Sequence, residues 1–362
     1  MKQQLQLIYP IPIYIPNNPN KINESELFTK YKSSYKSAFL DLSLYTFLFS
    51  SSFYLLWLFR STWLNVLTIP FMALMNTKTF VIFHDCGHGS YTPNKTLNYI
   101  IGSLLGVFVF TPFCWSYHHY NHHLTNGNIN NKLNHKHNET ILHSLIEYKK
   151  MNRVIRFIYK IVRMPCVYYM FIQIVYFGII QRMEVLAHKI NKRHPFNQSM
   201  QKILFDTLFS NLSLLLFVYY LLKYEILGIY LISMYGFALI AMTTFHCQHT
   251  FNPPYVVNNE DWNTKNSGIL GSSFIQIPKY LKYFFHGIEY HHIHHINSKI
   301  PGYNLQKYHE DVVSKSSVFD NIVKLSIMDC YNNLWLVLYD ETKKKYITMN
   351  EADEEIKRLK NN

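Results

Sequence analysis

The sequence predicts an all-α integral membrane protein: two transmembrane helical hairpins, four spans in all, with a His-rich helical cap on the cytosolic side. Three observations predict it. Residues 40–59, 63–83, 203–222 and 226–245 are apolar runs of about 20 residues, the length that crosses a ~30 Å hydrocarbon core at ~1.5 Å per residue. They come in pairs, separated only by Arg60-Ser61-Thr62 and by Lys223-Tyr224-Glu225, so each pair turns straight back. The polar remainder holds all 19 histidines and most of the basic residues behind a formal net charge of +13.

Composition excludes several other classes. With 49% hydrophobic and 16% charged residues, the chain is not intrinsically disordered. Five cysteines in 362 residues exclude a disulfide scaffold, and 12 glycines exclude collagen-like repeats. The mean hydropathy of −0.06 resembles that of a soluble protein only because it averages apolar blocks with polar ones.

Taken in order, residues 1–37 read as a cytosolic N-terminal segment. Residues 8–16 are broken by three prolines, which argues against a cleavable signal peptide. The membrane domain covers 38–310. Its first run is interrupted only by Asp41, and its second contains Pro70 and Lys78. The third has Asp206 near its start, and the fourth is free of charge. Residues 99–113 and 167–180 are apolar but short of a comfortable span, which suits re-entrant or interfacial segments. Residues 311–362 form a cytosolic C-terminal region, with 343–362 a solvated tail or short surface helix.

Basic residues lie in the N-terminal segment (Lys21, Lys30, Lys32, Lys36) and in the centre between Lys149 and Arg193, whereas the two tight turns carry only Arg60 and Lys223. The positive-inside rule therefore places both termini and the centre in the cytosol. The same charge suits an anionic leaflet of the lipid bilayer. No nucleic-acid-binding motif accompanies it, so nucleic acid is not expected as a partner.

Twelve of the 19 histidines fall in the windows 84–88, 118–123, 246–249 and 291–295, each abutting an apolar block. His84 and His88 stand four apart, on one helix face. His119, His122 and His123 stand at i, i+3 and i+4, and His291, His294 and His295 repeat that spacing. Imidazole is a common ligand of iron, zinc and copper. Three such windows exceed what one tetrahedral metal needs. They call for two metals, or for one with redundancy.

In order along the chain, His84-Asp85-Cys86-Gly87-His88, His119-Tyr120-Asn121-His122-His123 and His291-His292-Ile293-His294-His295 resemble the three histidine boxes of the membrane-bound fatty acid desaturases, HxxxH followed by two HxxHH. Trp115 ahead of the second box, Gly271-Ser272-Ser273, Pro278, and residues 287–305 around the third resemble acyl-lipid desaturases as well. The resemblance runs from about residue 38 to 310. It implies a di-iron centre held by neutral imidazoles, and adds His249, in a Gln-His-x-Phe window, to the ligand set. The implied ligands are His84, His88, His119, His122, His123, His249, His291, His294 and His295. The implied reaction uses O2 and electrons from an external donor of cytochrome b5 or ferredoxin type. It places a cis double bond in an acyl-lipid or fatty acyl substrate held in an apolar tunnel. In a eukaryotic cell the implied membrane is the endoplasmic reticulum.

His118, His246 and His292 are spares that either orient ligands or merely neighbour them. Asp85, Asp261, Trp262 and Glu289 are candidates for supporting or packing roles. No His-Pro-Gly-Gly follows His194, so no fused cytochrome b5 domain is visible. The third box begins with His291 rather than Gln, which favours methyl-end or mid-chain desaturation. Rival readings remain. Related hydroxylases, acetylenases, sphingolipid desaturases and carotenoid oxygenases use similar boxes. His84-Asp85-x-x-His88 resembles the HExxH helix of a zinc protease, but one zinc leaves two triplets unexplained. A non-catalytic metal-binding membrane protein is the third rival.

Overall fold

The computed structural model describes residues 24–130, 142–172, 175–190, 198–315 and 317–361. His135, His137 and His194 lie outside the described residues, as do the prolines of the N-terminus. A short helix α1 (Glu24–Tyr31) precedes α2 (Tyr35–Leu58), whose first turn is capped by Ser34 accepting from the Ser37 amide. The chain reverses and returns as α3 (Asn65–His88), stopped by Gly89 in the left-handed conformation (φ 64°). Next come the short apolar α4 (Lys95–Phe108) and then α5 (Trp115–Thr125).

A two-residue strand β1 (His143–Ser144) leads into α6 (Leu145–Lys150) and α7 (Arg153–Val162). After Pro165 the backbone winds as a π-helix over Tyr168–Ile172 and Tyr176–Ile180, then continues as α8 (Gln181–Ile190). The second hairpin is α9 (Met200–Lys223) and α10 (Leu227–His249). Beyond it lie α11 (Thr264–Leu270), β2 (Phe274–Ile275), α12 (His291–Ile296), α13 (Gly302–Val313), β3 (Lys324–Leu325) and α14 (Ile327–Asn333). The chain closes with β4 (Leu336–Asp340), β5 (Lys345–Thr348) and α15 (Met349–Asn361).

Helix dominates, but the fold is not all-α. β1, β4 and β5 form a three-stranded sheet in that order, and β2 pairs with β3. The pairing His143↔Leu338 joins residues far apart in sequence. The last stretch is accordingly part of a small lobe: Leu145 and Tyr148 of α6 pack on Leu338, Ile347 and Ala352.

Among the described residues five helices, not four, are long and apolar enough to cross a membrane: Phe28–Leu58, Asn65–His88, Pro165–Met183, Met200–Lys223 and Leu227–His249. The additional one contains the run 167–180. It gains length because Pro165, Cys166 and Gln181–Met183 join the same helix.

The main core lies where α2, α3, α4 and α10 meet, around Tyr45, Phe49, Leu56, Met72, Phe83 and Phe237. The outer surfaces of the hairpins are apolar and exposed, as at Phe39 and Phe47 of α2 and Leu212 and Leu215 of α9, which suits contact with lipid. The two charges that interrupt the first two apolar runs meet each other: Lys78 Nζ lies 2.8 Å from Asp41 Oδ1 and 2.9 Å from His286 Nδ1. Tyr91 donates to the other Asp41 oxygen at 2.9 Å. These two charges thus partner each other, which offsets the cost of burying either one.

Candidate metal centre

Helix geometry brings the histidines together. The last turn of α3 carries His84 and His88, α5 carries His119, His122 and His123, and the end of α10 carries His249. The six-residue α12 carries His291, His294 and His295. The i, i+3, i+4 spacing points each triplet along one helix face.

The nine rings form two groups. His84, His88, His119, His123 and His294 present nitrogens all within 4.8 Å of one another, and so do His122, His249, His291 and His295. In the first group the Nε2 atoms of His84 and His119 are 2.9 Å apart, and those of His294 and His123 3.1 Å. In the second, His249 Nε2 lies 3.0 Å from His122 Nε2 and 2.9 Å from His291 Nε2. The groups adjoin where His123 stacks on His295, ring centroids 4.1 Å apart.

These contacts test whether metal fits. Nitrogens this close cannot all be donors, and a cation between them would take their lone pairs. Burial, reinforced by repulsion among the rings themselves, pushes the pKa values of His119, His123, His291, His294 and His295 well below the usual imidazole value. The rings therefore stay neutral, the form that ligates. The Gly271 carbonyl can only accept, and it lies 3.1 Å from His249 Nδ1. Nδ1 then carries the proton and Nε2 faces its group with a lone pair.

Supporting contacts surround the rings. Trp115 stacks on His119 at 4.7 Å and 14°. Asp85 Oδ1 is 3.5 Å from His84 Nδ1, and Asp85 Oδ2 accepts the Gly302 amide at 2.7 Å. Gly302 has no room for a side chain, because a Cβ would sit 2.2 Å from the His286 carbonyl. Lys299 Nζ donates to the His88 carbonyl.

The three spare histidines belong to neither group. His246 Nε2 meets the Asn333 carbonyl at 2.9 Å, His292 Nε2 meets His309 Nδ1 at 3.1 Å, and His118 is buried nearby on α5. Trp262 donates to the Asn126 carbonyl just after the second box, whereas Asp261 is exposed. Glu289 is buried, which raises its carboxyl pKa to about 7.

A narrow apolar cavity reaches the centre, touching His84, His119 and His291. Its walls include Thr77 and Phe80 of α3, Phe237 and Gln248 of α10, Tyr176 and Phe177 from the π-helical segment, and Gln181 at the start of α8. Sequence reasoning anticipated a tunnel but named none of these residues. Only the helical spacing of Thr77, Phe80, Val81 and His84 carried a usable signal.

A multi-helix membrane protein with nine imidazoles gathered at two points beside an apolar cavity is a membrane metal-centre protein by architecture. Comparison with known proteins narrows this. The fatty acid desaturase family model matches residues 61–317, and the chain belongs to that family. It is 28% identical over 281 residues to a fatty acid desaturase of Bacillus subtilis, covering 75% of this chain and 74% of that protein. It is 25% identical over 243 residues to the sn-1 oleoyl-lipid 12-desaturase of Picosynechococcus, 64% of each chain. Over 93 residues it is 37% identical to the sn-1 acyl-lipid omega-3 desaturase (ferredoxin) of Synechocystis, 25% of this chain and 24% of that one.

Proposed function

We propose that the chain is an O2-dependent acyl-lipid desaturase that introduces a cis double bond, with residues 38–310 as its catalytic domain and the nine histidines as ligands of two irons. The observation that carries this reading is the convergence of two imidazole groups on one apolar cavity. Iron bound there would supply the oxidising power to break unactivated C–H bonds, with O2 as oxidant and electrons from an external donor. The protein's own task is to position the substrate, because a methylene offers no polar handle.

The cavity does this by shape. Phe80, Phe177 and Phe237 form one aromatic cluster, with ring centroids 5.2 to 6.1 Å apart. This cluster lines the wall on the membrane side of His84 and His119. It excludes water from an acyl chain lying against it. Gln248 is held by donating to the Ile288 carbonyl at 2.8 Å, which fixes the wall between α10 and the third box. The relatives' names, lipid-linked acyl chains and ferredoxin, favour an acyl-lipid substrate and a donor of ferredoxin type, with cytochrome b5 as the other candidate.

Topology follows from parity. His88 and His249 end two different spans, yet their groups adjoin, so they lie on one side of the membrane. An even number of crossings separates them. The helices α9 and α10 supply two, so Pro165–Met183 enters without crossing. With the positive-inside rule, this supports four spans and a cytosolic centre with both termini on that side.

The direct test is expression in a host that lacks polyunsaturated lipids, with a competent donor, followed by fatty-acid profiling and double-bond location. A new unsaturated species together with two irons per chain is the expected result. One zinc per chain without iron, or a hydroxylated product, would overturn it.

A further inference from the structure

We propose that α7 lies flat on the cytosolic leaflet, with its apolar face among the acyl chains and Arg153 and the lysines just before it at the phosphates of anionic lipids, and that it holds the C-terminal lobe against that surface. The proposal rests on the membrane reading above.

The helix has two unlike faces. Val154, Phe157, Ile158 and Ile161 stand at i, i+3, i+4 and i+7, and are 67, 65, 53 and 39% exposed. No residue of α7 is buried. The exposure matches that of Leu212 and Leu215 on the outer face of α9, at 65 and 67%. The opposite face meets protein: Tyr159 donates to the Val337 carbonyl at 2.8 Å, and Lys160 pairs with Asp353 of α15. The lobe therefore sits on the back of α7 and leaves the apolar face uncovered.

Two features say what covers it. Three residues beyond α7, Pro165 begins a helix apolar enough to enter the membrane, so α7 is tethered at the bilayer surface. Basic residues stand just before it and at one edge of the apolar stripe: Lys149, Lys150 and Arg153, with Arg156 farther round beside Lys160. A short helix with an apolar stripe and a cationic margin is the form that lies in a lipid interface, and each basic side chain adds attraction to an anionic leaflet. The same strut continues through Pro165 to Tyr176 and Phe177, so the lobe and one wall of the cavity share an anchor.

The test uses the full chain with Cys166→Ser, which removes the exposed native thiol. Spin labels are placed singly at Phe157→Cys, at Leu215→Cys as a lipid-facing reference, and at Glu354→Cys as a water-facing reference on α15. The protein is studied in nanodiscs holding one copy each, made of phosphatidylcholine with or without phosphatidylglycerol. With phosphatidylglycerol, the label at 157 should match that at 215: several-fold less accessible to a water-soluble relaxant than the label at 354, and more accessible to oxygen. Omitting phosphatidylglycerol, or adding Arg153→Gln with Arg156→Gln, should reduce that protection. If 157 is as wet as 354 while 215 stays protected, the proposal falls and the membrane reading stands. If 215 is wet too, both fall. Protection that ignores lipid charge overturns the anionic-lipid contact, and protection seen only with two copies per disc assigns the face to a second copy of the chain.

Discussion

The two histidine groups draw on the same helices but are not built alike. One gathers five rings, from α3, α5 and α12, all of them in the three boxes. The other gathers four, and one of these, His249, comes from the end of a span outside any box. The five-ring group is supported by Asp85 and capped by Trp115, whereas the four-ring group leans on the backbone carbonyl of Gly271. The difference teaches that the second group depends on how α10 ends, and so on the packing of the second hairpin. The first depends on the box helices alone. The four-ring group also offers one imidazole fewer than the five-ring group.

The largest test of this asymmetry is His294→Ala. It removes the only α12 ring from the five-ring group, and should cut product at least about 100-fold, more than loss of an outer partner costs. Fatty-acid profiling checks this, with protein content of the membrane as the control. His249→Ala leaves the boxes intact, and should roughly halve bound iron while the five-ring group still fills. Loss of all iron would show that the groups do not load separately.

Asp85→Asn should act about 10-fold on activity or metal affinity if the carboxylate, 3.5 Å from His84 Nδ1 and outside the grouped rings, steadies that ring. Equal effects of Asp85→Asn and His294→Ala would erase the proposed distinction. Phe237→Ala should leave the iron content unchanged and alter where the double bond falls or which chain length is accepted, read by product analysis.

The last prediction concerns pH. His119, His123, His291, His294 and His295, among the histidines whose values burial depresses, stay neutral when folded, whereas in the unfolded chain they take up protons near the ordinary value of about 6.5. Their contribution to stability is complete above that value and is lost as the pH falls below it. Metal-free protein should therefore denature at lower temperature at pH 5 than at pH 8, with bound metal narrowing the gap.

Much of the centre was legible because helical spacing is a local property. His119, His122 and His123 declare a shared face within five residues, and His291, His294 and His295 do so again. Four of the five long apolar helices were legible for the same reason, since length and apolarity are read within one segment. What escaped depends on contacts distant in sequence. Nothing near Tyr176 or Phe177 says that a π-helical segment will line a cavity beside His84. Two-residue strands such as His143–Ser144 carry no pattern of their own, so their pairing with β4 was invisible. His286 likewise carried no signal, yet it lies against Lys78 and faces Asp41 and Asp85.

That meeting of Lys78 with Asp41 also constrains how the protein is made. A lone charge at the centre of an inserting helix costs about 2.5–3.5 kcal/mol, and less nearer an end, where Asp41 stands in the second turn of α2. Neither α2 nor α3 carries its partner within itself. Entering the bilayer one after the other, each would bear that cost alone, whereas as a hairpin they neutralise each other on the way in. The insertion machinery therefore gains by holding the first span until the second has emerged from the ribosome. The unit of biogenesis is then the pair rather than the single helix.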